Sequence, residues 1–264
     1  MVFLSETELE RYRRQMMLPE FGEAAQLKLK SSTALVTGVG GLGGTAALYL
    51  AVAGVGRLIL VRGGNLKRDD LNRQVLMTDD WVGQPRVFKA KSTLEALNPD
   101  IQVDAVCEFV TPENVDQWVK VSDIALDCAF NFDERNALNA SCVQWGVPMV
   151  EAAMNDMDAY LTTIIPGQTP CLTCLFPEKP EWDRWGFGVL GAVSGTLACL
   201  AALEAVKVLT GFGEPLLGQL LTMDLKRAEF AKRRSYHDPH CPVCSWRNGE
   251  AIALTQQVLT AGAT

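Results

Sequence analysis

Between residues 5 and 18, Leu9, Tyr12 and Met16 recur at helical spacing in an otherwise polar run, which predicts a helix with one apolar face. The period then shortens. Residues 32–37 read as a strand, 38–44 as a glycine turn, 45–52 as a helix of small residues and 57–61 as a second strand. The alternation continues with helices at 86–97, 112–119 and 133–145, and with strands at 101–106, 123–127 and 147–150. Strands alternating with helices build right-handed βαβ units, so this half is expected to carry a parallel sheet.

Past residue 150 the pattern turns β-rich. Strands at 160–165 and 219–225 flank an apolar stretch at 189–203, read as a helix. That stretch contains Gly191, Ser194, Gly195 and Thr196 and runs into Glu204 and Lys207. It is too short and too polar for a membrane span, and is expected to pack on the core or on a second subunit. No internal repeat or linker interrupts the chain. The expected fold class is α/β: a Rossmann-like mixed sheet with N-terminal parallel βαβ units and a β-rich C-terminal part. A single domain is expected over 1–245, divided into a Rossmann-like half (31–150) and an antiparallel half (151–245). Residues 246–264 read as a tail.

Composition narrows the function classes. With 48% hydrophobic and 21% charged residues over 264 positions, the chain has the balance of a globular protein, not of a disordered one. Its 31 acidic residues against 24 basic ones give a charge of −7, which argues against nucleic acid as the main partner. The one basic run, 226–234, is broken by Ala228, Glu229, Phe230 and Ala231 and reads as a solvated face. Residues 5–15 are too charged for a targeting core, so no membrane partner and a cytoplasmic location are expected.

The turn Gly38-Val39-Gly40-Gly41-Leu42-Gly43 fits G-x-G-x-x-G between a strand and a helix. Its first glycine permits a tight turn, the second lets backbone N–H groups approach phosphate, and the third lets helix and strand pack closely. The helix N-terminus then holds the anion. At the end of the second strand, where an adenosine site offers an acid to the ribose, stands Arg62. An arginine there accepts a 2′-phosphate, which keeps NADP open as the nucleotide; the alternative is a surface arginine at a strand end.

Two knuckles, Cys171-x-x-Cys174 and Cys241-x-x-Cys244, stand far apart in sequence. Four soft thiolates suit a closed, tetrahedral structural Zn²⁺ site; the alternative is two independent cysteine pairs. Cys107, Cys128, Cys142 and Cys199 are expected in the core. The two histidines, His237 and His240, flank the second knuckle, where His237 is a candidate substitute ligand. Histidine confined there argues against a Ser-His-Asp or Cys-His catalyst and for chemistry by positioning and charge neutralisation.

Together these features resemble the ThiF/MoeB/HesA family, relatives of ubiquitin-activating enzymes. The resemblance spans residues 9–245. It rests on Arg11-Tyr12-Arg13-Arg14-Gln15, the glycine turn, Leu71-Asn72-Arg73-Gln74, Val82-Gly83-Gln84-Pro85, Asp127-Cys128 and both knuckles. Segments 14–22 and 58–64 are most similar to the HesA branch, which is associated with nitrogen-fixation gene clusters. The resemblance implies a homodimer in which ATP adenylates the C-terminal glycine of a ubiquitin-like sulfur-carrier protein. It places Gly41 in the phosphate loop, Arg73 and Arg86 on the triphosphate, Asn131 at the nucleotide, and Arg14 at the nucleotide of the opposite subunit.

Three departures stand out. Arg62 and Gly64 occupy positions where the family has acids. Asp69-Asp70 replaces a usual Ser-Asn. Phe130 replaces the aspartate that normally holds Mg²⁺ or positions the triphosphate. One reading is therefore a working adenylyltransferase whose Mg²⁺ ligands are rebuilt from Asp69, Asp70 or Asp127. A second is a catalytically altered nucleotide-binding protein that recruits a partner, and a third is an NADP-dependent oxidoreductase. Segment 177–193 lacks cysteine, which argues against a thioester relay from it.

Overall fold

Ser5 begins the first helix by a reciprocal cap. Its hydroxyl accepts the Glu8 N–H at 3.2 Å, and the Glu8 carboxylate accepts the Ser5 N–H at 2.7 Å. In this computed structural model, which describes residues 3–179 and 188–245, that helix is α1 (Glu6–Met16). It is followed by α2 (Gly22–Ser31), β1 (Thr33–Thr37), α3 (Gly41–Ala53), β2 (Arg57–Val61), α4 (Arg86–Leu97) and β3 (Gln102–Val106). Then come α5 (Asp116–Val119), β4 (Ile124–Asp127), α6 (Phe132–Trp145), β5 (Met149–Asn155) and β6 (Asp158–Ile164). The chain continues through α7 (Leu172–Leu175), α8 (Gly191–Thr210), β7 (Gln219–Asp224) and β8 (Glu229–Arg234).

One eight-stranded sheet runs β3-β2-β1-β4-β5-β6-β7-β8. Pairing is parallel from β3 to β5 and antiparallel from β5 to β8. Alternate strand residues feed two cores. Ala34, Val36 and Leu58 pack with α3, α4 and α8, whereas Leu35, Ile59 and Ala125 pack with α5, α6 and α7. The strand order reverses between β1 and β4, because the chain first builds outward through β2 and β3. The crevice at their carboxyl ends is therefore the ligand position of such a sheet.

Several elements depart from the pattern-based expectation. The helix expected over 112–119 shrinks to α5, because the Asn114 side chain accepts the Thr111 N–H and makes a turn first. The glycine turn is shorter than 38–44, since α3 already starts at Gly41. α2 escapes the periodicity because it buries only Ala25, Gln26 and Leu29. The basic run contains β8, an edge strand exposed along its whole length. Cys107 and Cys199 are exposed, not in the core, while Cys142 is buried. Among the described residues α8 alone is long and apolar enough to cross a membrane, but it packs on α2, α3, β5 and β6. The expected tail, 246–264, and part of segment 177–193 lie outside the described residues.

Candidate functional site

The glycine turn lies at the carboxyl end of β1, mostly buried, with Gly40 and Leu42 partly exposed. Gly40 caps α3 without any side-chain hydrogen bond, so the first N–H groups of the helix remain unclaimed by side chains. Gly38 adopts φ +102° and lies so close to β4 that a Cβ would fall 2.4 Å from the Cys128 carbonyl oxygen. A Cβ on Gly43 would fall 1.9 Å from the Gly38 carbonyl oxygen. Leu42 points into the α3 side of the core. A Cβ built at Gly41 would lie 3.1 Å from the Arg73 Cβ, which places Arg73 directly over the loop.

A short 3-10 turn, Arg68–Asp70, organises the basic wall. The buried Asp70 carboxylate accepts the Lys67 N–H at 2.9 Å and pairs with Arg73 at 3.0 Å and Arg86 at 3.3 Å. Arg73 also donates to the Asp69 carbonyl and the Asn72 amide, both at 2.8 Å. Arg86 begins α4 and donates to the Asn65 carbonyl, while its buried Nε has no partner. Burial lowers the Arg86 pKa, Asp70 opposes that shift, and the charges of Arg62 and Arg73 add to it. Three guanidiniums thus share one neighbourhood with one buried carboxylate, an arrangement that favours a polyanion. Asp69 keeps its carboxylate exposed.

The end of β4 differs from the expectation of a metal ligand. Asp127 is fully buried, accepts the Ala129 N–H at 3.0 Å and faces Arg135 at 3.5 Å. Arg135 also pairs with Glu151 at 2.8 Å, and Tyr160 donates to Glu151 at 3.0 Å. One arginine serves two carboxylates, and the Asp127 Oδ2 and Glu151 Oε2 atoms lack hydrogen-bond donors. Burial, and then the Asp127 charge, push the Glu151 carboxyl well above its ordinary value. Asp127 is therefore held inside the sheet by its neighbours. Phe130 is 47% exposed and offers no oxygen, so this strand end does not fit a Mg²⁺ ion. Burial also raises the Cys128 thiol, which removes it as a nucleophile.

Arg62 and Asn131 meet through a residue the sequence reading missed. Asn131 caps α6 by accepting the Glu134 N–H at 2.9 Å and donates to the Glu134 carboxylate at 2.6 Å. Glu134 pairs in turn with Arg62 at 3.4 Å. The signal available in the sequence was an acid three residues after a capping asparagine. Arg14 is exposed in the last turn of α1 and makes no ion pair with a described residue.

Cys171, Cys174, Cys241 and Cys244 converge so that all four sulfurs lie within 4.8 Å of one another. Three of the separations are 3.5, 3.7 and 4.0 Å. A tetrahedron with Zn–S bonds of about 2.3 Å has edges of about 3.8 Å, so the group can hold Zn²⁺. The His237 Nε2 atom lies 3.2 Å from the Cys244 Sγ, which makes it a hydrogen-bond partner of a ligand, not a fifth ligand. The first knuckle leads into Phe176, which packs edge-on to Phe132 at 5.9 Å and tilted against Tyr160 at 5.1 Å. These aromatics, with Arg135, Met223 and Phe230, line a cavity of about 1000 Å³ on the antiparallel half.

Comparison with known proteins agrees with this geometry. The model of the ThiF family matches residues 12–243. "Protein HesA, heterocyst" of Trichormus variabilis is 71% identical over 258 residues, covering 96% of this chain and 97% of the relative. The "Sulfur carrier protein adenylyltransferase" of Thermus thermophilus is 39% identical, covering 90% of this chain and 91% of the relative. Among solved structures, E. coli MccB with ATP superposes with a TM-score of 0.78 at 26% identity, covering 91% of this chain and 75% of that one.

Proposed function

We propose that this chain, which belongs to the ThiF family and is similar to its HesA proteins, uses ATP to adenylate the C-terminal glycine of a ubiquitin-like sulfur-carrier protein. The carrying observation is Arg73 over Gly41 with Arg86 beside it, both gathered on Asp70. In this reading the α3 N-terminus receives the phosphates and the arginines offset the charge that grows on the leaving pyrophosphate. The carrier carboxylate attacks the α-phosphorus, the bond to pyrophosphate breaks, and an acyl-adenylate remains for a sulfur donor. Mg²⁺ on the triphosphate would spread its charge. Asp69, whose carboxylate is exposed, is the one that would approach the metal in place of the aspartate that Phe130 replaces, since both Asp70 oxygens are engaged by Arg73, Arg86 and the Lys67 N–H.

The cavity lined by Phe132, Phe176 and Phe230 suits the apolar side of a carrier tail. The thiolates of the knuckles support a reducing, cytoplasmic setting. The HesA-like segments support a role in sulfur or metal-cofactor assembly linked to nitrogen fixation. Carrier-dependent ATP–pyrophosphate exchange tests the reading: the parent should exchange, and Asp70→Ala should lower the rate at least about tenfold. Phe130 favours a second reading, a retired site. Exchange absent in the parent with its carrier but restored by Phe130→Asp would select that one.

A further inference from the structure

We propose that Glu134 reads the ribose of the bound nucleotide, supplying from α6 the carboxylate that β2 lacks. The inference rests on the ATP reading above and adds a specificity-determining residue to the same crevice. An adenosine site at a sheet switch point needs an acceptor for the ribose hydroxyls beside the glycine turn. The ordinary place for it is the end of β2. Arg62 stands there instead, directly after Val61, whose carbonyl accepts the Gly38 N–H at 2.9 Å.

The side chain of Arg62 is held on both sides. Its guanidinium lies over the Phe109 ring at 5.2 Å from the centroid, and its Nη1 lies 3.4 Å from the Glu134 carboxylate. The next residue makes room for that ring, since a Cβ on Gly63 would fall 2.7 Å from Phe109. Segment Arg62-Gly63 and Phe109 thus form one support, with the guanidinium aimed at α6. Glu134 arrives from the opposite side of the glycine turn, because α6 follows β4 while Arg62 follows β2, and β1 lies between them. Its carboxylate is fixed by the Asn131 amide at 2.6 Å, and its side chain is only 9% exposed.

At 3.4 Å the Arg62 contact is long for a charge-assisted hydrogen bond, and it leaves Glu134 with acceptor capacity. Burial raises the Glu134 carboxyl, with Arg62 and Asn131 opposing the shift. A hydroxyl donor relieves part of that desolvation, whereas a 2′-phosphate would face a carboxylate beside the arginine. The pair therefore selects a ribonucleotide with a free 2′-hydroxyl. Arg62 is a positioning residue in this arrangement.

Calorimetric titration of the full-length, zinc-loaded chain with ATP, 2′-deoxy-ATP and NADP tests the proposal. The parent should bind ATP at least about tenfold more tightly than 2′-deoxy-ATP, as expected for one hydrogen bond to a charged group. Glu134→Ala should shrink that ratio below about threefold. If the alanine variant does not fold, Glu134→Asp, which keeps the charge but withdraws the oxygen, should shrink it likewise. Equal binding of the two nucleotides by the parent, or a ratio unchanged in the folded variant, overturns the proposal and leaves the ATP reading standing. Binding of NADP in preference to ATP, or no ATP binding, overturns both.

Discussion

Asp70 shows how much one residue sets at this site. Its two oxygens pair with Arg73 and Arg86, so one buried carboxylate orients both guanidiniums. Arg73 lies nearest the glycine turn, so on the proposed reading Arg73→Ala should lower carrier-dependent exchange by about 10²–10³, the usual effect of losing one charge-stabilising group. A loss below about threefold would take Arg73 out of the reaction. The Asp127–Arg135–Glu151 group makes a different demand, because two buried carboxylates share one guanidinium. Burial and the Asp127 charge raise Glu151, so the folded chain holds a proton there more tightly than the unfolded chain. Its contribution to stability is fully present below the ordinary carboxylate value and is lost as pH rises toward the folded value. Glu151→Gln mimics the protonated form. Urea unfolding of parent and variant at pH 5 and pH 8 should therefore show the variant gaining on the parent by about 1 kcal/mol or more as pH rises. A pH-independent difference would mean that Glu151 keeps its charge.

At the scale of elements, the glycine turn and the knuckles act by fixing distances between parts remote in sequence. Gly43 carries α3 against Gly38 and Cys128, and Gly43→Ala should cost about 2 kcal/mol or more in a denaturant titration, as overpacking against backbone does. The knuckles clip α7 to the chain beyond β8 and hold Phe176 in the cavity wall. Cys241→Ser should lower zinc content and thermal stability together; a variant of unchanged melting temperature without zinc would deny the metal a structural role. These devices were legible in sequence because each has a fixed spacing: G-x-G-x-x-G, C-x-x-C, and strand–helix alternation as far as β5. The strand at β8 was not legible, because an edge strand with no buried face carries no alternation. Nor was the helix α2, whose three buried residues make too narrow a stripe. The arginines could be marked from sequence, but their common partner could not, since Asp70 reads there as one of two adjacent acids. Glu134 stayed hidden because its pairing crosses 72 positions of chain.

The whole molecule is an assembly question. α3 and α8 pack together and leave Tyr49, Val52 and Leu203 exposed, apolar side chains that a C2 interface would cover. The resemblance implies that Arg14 reaches the nucleotide of the opposite subunit, and the distances within one chain can be set against that expectation. Its neighbour Gln15 donates to the Ala53 carbonyl at 2.8 Å, at the last residue of α3. The glycine turn lies at the first residue, Gly41, about 18 Å away along the helix at 1.5 Å per residue. An arginine side chain does not cover that length, so within one chain Arg14 stands at the wrong end of α3. If Arg14 serves a nucleotide at all, the expectation is therefore that it acts in trans. Arg14→Ala and Arg73→Ala should each be inactive alone. Mixed in equal amounts after subunit exchange, half the dimers are mixed, and each mixed dimer has one site with both arginines intact. About a quarter of parental exchange activity should return. No recovery, with mixed dimers verified by native mass spectrometry, would place Arg14 outside the partner's site.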